Sequence, residues 1–155
     1  MGIEIDVKGN PVAQKRHRHT RTGHVYDPSS KDKTLWKSLL GRYAMSKPLK
    51  DELVVLLRFT VARPKSHYRT GKNKHLIKDS APKKHIQRPD IDNFVKFYLD
   101  VLQDMGMYEN DSQITTIIAE KKWGKHGRVE ICIDEEATFD EQAAFGGWSD
   151  EIYTA

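Results

Sequence analysis

The stretch Ile91-Asp92-Asn93-Phe94-Val95-Lys96-Phe97-Tyr98-Leu99-Asp100-Val101-Leu102-Gln103-Asp104-Met105-Gly106 decides the fold. Ile91, Phe94, Val95, Tyr98, Leu99, Leu102 and Met105 recur at the spacing of one helix face. Gly106 can take the left-handed conformation that commonly closes a helix. At the other end Pro89 restricts the chain and Asp90 suits the N-cap, while Asp92 in the first turn complements the helix dipole.

Working outward, Glu52 to Val61 reads as a strand from its length and β-branched content, and residues 3 to 8 as a shorter one. A second helix is predicted after Ser29 or Ser30, where Leu35, Trp36, Leu39, Leu40 and Tyr43 keep helical spacing until Lys47-Pro48. Pro11 to Pro28 is basic and extended, with a hairpin expected around Thr22-Gly23. Ile114 to Trp123 and Arg128 to Ile133 read as a further hairpin joined at Gly124 to Gly127. The resulting order, β(β)αβαββ, predicts an α+β fold: a two-layer sandwich in which two helices cover one face of a mixed β-sheet.

A chain of 155 residues, 37% hydrophobic and 31% charged, fits one soluble domain with its own core. The lone Cys132 excludes a disulfide framework and reads as a small core hydrophobe. Met1-Gly2-Ile3-Glu4-Ile5 lacks the pattern of a signal peptide, and no apolar run approaches a membrane span, so a cytoplasmic location is expected. The three Trp read as core or dimer packing. Charge is unevenly spread: residues 1–133 hold all 26 Lys and Arg against 15 acids, and seven acids follow. Such an excess favours a polyanionic partner through counterion release and steering.

Residues 63–88 lose all periodicity and hold nine Lys or Arg and three His against one acid, Asp79. A basic loop without structure of its own, ordering on DNA, is expected there.

Within this basic chain the hard oxygen ligands Asp90, Asp92 and Asp111 suggest a Mg²⁺ site, with Mn²⁺ as a possible substitute. One or two ions so held would polarise a scissile phosphate, lower the pKa of the attacking water and stabilise the leaving oxygen. Lys96, one turn after Asp92, would neutralise charge on the phosphoryl group. Residues two apart inside a helix diverge, so Asp90 and Asp92 share an ion only if Asp90 stays outside the helix. Asp111 must also return about one helix length; if the helix runs its full course, the third ligand comes from elsewhere. Zinc is disfavoured because the seven His show no paired ligand spacing. An EF-hand is excluded, since its twelfth position, counted from Asp90, is Val101. Two rival readings remain: a non-catalytic nucleic-acid-binding protein in which Asp90 and Asp92 only cap a helix, and a Mn²⁺-dependent glycosyltransferase, which small size and basic charge disfavour.

The pattern Arg-x-Asp-x-Asp-Asn-x-x-Lys at Arg88 to Lys96, with Asp111 in an Asn-Asp-Ser-Gln turn, resembles the RusA family of Holliday junction resolvases, bacterial and phage endodeoxyribonucleases. The resemblance runs from Gly9-Asn10-Pro11 through Trp123. It implies metal binding and catalysis by Asp90, Asp92 and Asp111, a catalytic Lys96, and a homodimer that places paired symmetric nicks across a four-way junction in DNA recombination and repair. The basic run holding Lys15, Arg16, Arg18 and Arg21 is similar to the family's DNA-contacting start. Further phosphate contacts are expected from Arg69, Lys72 and Lys74 in the basic loop, and from Lys83, Lys84 and Arg88 at its end. A nuclease unit over 1–136 is expected, followed by an acidic tail, 137–155, that is an addition to the family pattern. The tail reads as a solubilising end, or as a segment that folds on the positive face or recruits a partner through Phe145 and Trp148. A less selective branched-DNA nuclease of phage origin is the nearest alternative.

Overall fold

In order along the chain, the elements are β1 (Ile3–Lys8), β2 (Arg18–His19), β3 (Val25–Tyr26), α1 (Ser30–Leu40), β4 (Leu53–Ala62), α2 (Ile91–Asp104), β5 (Ile114–Gly124) and β6 (Arg128–Glu135). These come from a computed structural model, which describes residues 2–135. The expectations for the tail, Phe145 and Trp148 fall outside the described residues.

The main sheet has the order β1-β6-β4-β5, and β2 and β3 pair separately as a two-stranded ribbon. β4 runs parallel to β5 and antiparallel to β6, which is antiparallel to β1. The sheet is therefore mixed, and the fold is α+β as the element order predicted. Both helices lie on one face: Trp36 and Leu40 of α1 and Phe94, Tyr98 and Leu102 of α2 share a core with Leu53, Val55, Leu57 and Phe59 of β4. Ile5, Val7, Val129, Ile131 and Ile133 complete it from β1 and β6.

The hairpin expected between the last two strands does not form. β4 lies between β5 and β6, hydrogen-bonded to both. The physical reason lies in β4 itself, buried from Leu53 to Thr60 on both faces. A strand of that composition takes a central position, where two neighbours satisfy its backbone and shield its side chains. The link from β5 to β6 then crosses the end of β4 at close quarters. A Cβ on Gly124 would sit 2.3 Å from Cγ2 of Thr60, and one on Gly127 would sit 2.4 Å from Cα of Asn10.

α1 stops at Leu40, short of Lys47, and a 3₁₀ turn follows over Gly41–Tyr43. Leaving the helix lets the Tyr43 hydroxyl donate to the Asp6 carbonyl at 3.0 Å and accept from the Asp6 amide at 3.1 Å. Ser29 holds the N-cap position but makes no side-chain cap; its Oγ accepts from the Lys15 amide at 2.9 Å. α2 closes as predicted. Gly106, at φ +75°, donates to the Gln103 carbonyl, and Met107 donates to that of Leu102, the paired bonds of a Schellman motif. Phe97 and Val101 are buried as well, so the helix's apolar face is wider than the single stripe predicted.

The basic loop is not structureless. It contains 3₁₀ turns at Lys65–His67 and Gly71–Asn73 and a bridge between Tyr68 and Ile77. Its anchors are aromatic: Trp123 of β5 lies between His67, edge-on at 4.9 Å, and His85 at 4.2 Å. Burial lowers the pKa of both imidazoles, helped by Arg63 and Lys78 at His67 and by Lys121 at His85. Cys132 pairs with Leu56 on the sheet face away from the helices, outside the helix-side core, and burial raises its thiol pKa.

Candidate nuclease site

Asp90 sits at the N-cap of α2 in extended conformation, φ −72° and ψ 147°, so it stays outside the helix, as metal sharing with Asp92 requires. Its carboxylate makes no capping hydrogen bond. Helix capping therefore does not account for it, although an Asp in this position normally caps. Asp92 follows in the first turn and accepts from the next amide, that of Asn93, at 3.0 Å. Both are exposed. Phe94, fully buried and stacked on Phe59 of β4 at 5.1 Å, seats this turn on the sheet.

Lys96, exposed one turn further along, pairs with Asp100 at 3.8 Å. Asp100 also lies 3.5 Å from Lys33, which bonds Asp27 at 2.8 Å. Lys33, Ser29 and Gln14 donate to Asp27, and these bonds outweigh the opposing effect of burial to hold its carboxyl near 2.

Asp111 is elsewhere. It opens a 3₁₀ turn stabilised by a capping box between Asn110 and Gln113. The hydroxyl of buried Tyr108 reaches its Oδ1 at 3.0 Å and the Leu99 carbonyl at 2.6 Å. With its amide turned to satisfy both groups, Gln103 donates to Asp111 at 2.8 and 3.2 Å. Burial, then the Asp111 charge, drives the Tyr108 phenol pKa far upward, so it stays a donor. Asp92 and Gln103 are eleven residues apart on α2, about 16 Å at a 1.5 Å rise per residue. Within one chain Asp90 and Asp92 thus share the N-terminal end of α2, while Asp111 lies by its far end.

Among the described residues, no group of three His, Cys, Asp or Glu side chains could hold a metal ion. Asp90 and Asp92 nonetheless fit Mg²⁺ by donor chemistry. That ion is commonly held by one or two carboxylates, with substrate phosphates and water completing its shell.

The ten basic residues expected to contact phosphates are all exposed. The N-terminal ones are rooted beside the carboxylates: the Gln14 amide donates to the Asn93 carbonyl at 2.9 Å, and the Val12 amide to the Tyr98 hydroxyl at 3.1 Å. Lys15 and Arg16 leave from there, and Arg18 lies on the β2–β3 ribbon. Arg88 directly precedes Pro89 and Asp90, and Lys83 and Lys84 lie in the same approach. Arg69 lies 3.5 Å from Asp79. A cleft of about 630 Å³ lined by Lys8, Lys122 and Arg128 with Asp6 and Glu130 opens on the opposite sheet face, away from Asp90 and Asp92. Burial, then the Arg58 charge, brings Lys122 there down to about 8.

Sequence reading passed over Lys121, Tyr108 and Gln14. Lys121 donates to the carbonyls of Gln87 and Pro89 at 2.7 and 2.9 Å. None of the three carries a motif; Lys121 and Gln14 act on partners distant in the chain, and Tyr108, though near Leu99 and Asp111 in sequence, reads only as a core aromatic.

No helix among the described residues is long and apolar enough to cross a membrane. A search of curated proteins finds no match to this sequence. The family model for endodeoxyribonuclease RusA matches residues 8–134, a span running from the end of β1 through α2 and into the last residues of β6. The chain belongs to the RusA family of endodeoxyribonucleases.

Proposed function

We propose that the protein is a Mg²⁺-dependent endonuclease that resolves four-way DNA junctions by paired symmetric nicks, acting as a homodimer in recombination and repair. The observation that carries this is Asp90: an exposed carboxylate at a helix N-cap that makes no cap, beside Asp92 and among exposed cations. When bound there, Mg²⁺ would supply Lewis-acid polarisation of the phosphate and a more acidic water. Asp90 and Asp92 hold the ion, Lys96 offsets charge on the phosphoryl oxygens, and the cations at 15–21 and 83–88 fix the DNA backbone.

The third carboxylate comes from the second copy. A two-fold axis crossing α2 near its middle exchanges the helix ends, so that Asp111 of one protomer meets Asp90 and Asp92 of the other. The separation of about 16 Å within one chain favours this arrangement. Residues 1–136 form the nuclease unit, and a chain ending there should cleave at the full-length rate.

The function is tested by incubating the protein with a synthetic four-way junction and a matched duplex, with Mg²⁺ or chelator. Symmetric, Mg²⁺-dependent nicks on the junction alone are expected. Asp90→Asn should lower cleavage by roughly 10²-fold or more while sparing junction binding. Cleavage of both substrates would mean a less selective nuclease, and binding without any product would leave a DNA-binding protein. Mixing inactive Asp90→Asn and Asp111→Asn chains tests the shared site. A mixed dimer would regain one intact site if Asp111 crosses over, and none if each chain supplies its own.

A further inference from the structure

We propose that Lys121 is a positioning residue for the nuclease site, a β5 ammonium that holds the segment delivering Asp90. The proposal rests on the reading of Asp90 as a metal-holding carboxylate. Lys121 pairs in register with Phe59 and so lies on the helix-side face of the sheet. Its Nζ donates to two carbonyls in the approach to α2, Gln87 at 2.7 Å and Pro89 at 2.9 Å. Pro89 is covalently next to Asp90. Two residues along the same face, Trp123 packs against His85 with ring centroids 4.2 Å apart, and its indole N–H donates to the Lys84 carbonyl at 3.2 Å. Three carbonyls of residues 84–89 are thus held by two side chains of one strand.

This matters because Asp90 lacks what normally fixes an N-cap side chain, a bond to its own helix. Its backbone on the helix side is set by α2, whose first turn is seated by Phe94. On the other side its direction depends on residues 84–89, which make no regular structure. A lysine gripping both Gln87 and Pro89 removes the rotation that would otherwise swing the carboxylate. Groups that orient a metal's ligands from behind affect metal affinity as well as rate.

The test compares Lys121→Met, Lys121→Arg and Asp90→Asn in the full chain. Mn²⁺ binding without DNA is read from the electron paramagnetic resonance signal of the free ion, junction cleavage in Mg²⁺, and junction binding in chelator. Lys121→Met is expected to weaken Mn²⁺ binding and slow cleavage by about 10- to 100-fold, with junction affinity in chelator unchanged within about 2-fold. Lys121→Arg, which keeps donors for both carbonyls, should recover most of both losses. If Lys121→Met does not fold, Lys121→Gln, too short to reach both carbonyls, is read in the same way. Cleavage and Mn²⁺ binding at the unmodified level in the Met or Gln variant, with Asp90→Asn inactive, would overturn the positioning role alone. Loss of junction affinity in chelator with intact Mn²⁺ binding would also overturn it, making Lys121 a phosphate contact. Full activity in Asp90→Asn would remove the underlying reading and the proposal with it.

Discussion

Replacing Phe94 by alanine should cost the fold about 3–5 kcal/mol. The ring is 1% exposed, sits in the first turn of α2 and stacks on Phe59 of β4 at 5.1 Å and 29°. Truncation takes roughly 100 Å² of apolar surface out of the core, about 2.5 kcal/mol at about 25 cal/mol per Å². The lost aromatic pair adds about 0.5–1.5 kcal/mol, and a partly collapsed cavity about 1 more. For a domain of this size the midpoint should fall by roughly 10–15 °C. Guanidinium unfolding followed by tryptophan fluorescence reads the change, Trp36 being buried edge-on to Tyr98 at 5.0 Å. Phe94→Leu should lose about a third as much, since it keeps most of the volume. A loss below about 1 kcal/mol for Phe94→Ala would refute the seating of α2's first turn on β4, and with it the basis for the rigid presentation of Asp90 and Asp92.

Tyr108→Phe should destabilise by about 1–3 kcal/mol, because the Asp111 carboxylate and Leu99 carbonyl lose a donor, and should reduce cleavage through a less fixed Asp111. An unchanged unfolding midpoint and rate would show that Asp111 is held by Gln103 and its own turn alone. The basic loop should loosen in acid. His67 and His85 both titrate below the ordinary 6.5 when folded, so their neutral forms favour the packed loop. That contribution is complete above about 6.5 and is lost as pH falls through the depressed folded values. Limited proteolysis within residues 63–88 should therefore accelerate as pH falls below about 6.5, and a rate that tracks only the protease's own pH profile would contradict the anchor.

Where periodicity was strong and the forces local, the sequence was readable. α2 could be placed from its apolar stripe and Gly106, because a helix's hydrogen bonds and cap lie within a few residues of each other. Residues 3–8 and Arg128 to Ile133 likewise read as strands, and the structure carries the second on to Glu135. Pairing was another matter. β5 and β6 are neighbours in the chain but not in the sheet. Proximity favoured a hairpin, while the burial demands of Leu53–Ala62 inserted that strand between them, a choice that depends on all four strands at once. The basic loop looked featureless because its anchors, Trp123 and Lys121, lie 30 or more residues away along the chain.

The candidate site divides in the same way. The identities of Asp90, Asp92, Lys96 and Asp111, the basic excess and the family were set by the sequence alone, since ligand chemistry resides in residue type and short spacing. Only the tertiary structure decided that Asp90 makes no cap and that Lys121 grips the approach to it. It also decided that α2 runs its full length and so holds Asp111 away from the other two carboxylates. A helix is rigid, and about 1.5 Å per residue accumulates into a separation that spacing in sequence does not reveal until both ends are fixed by packing.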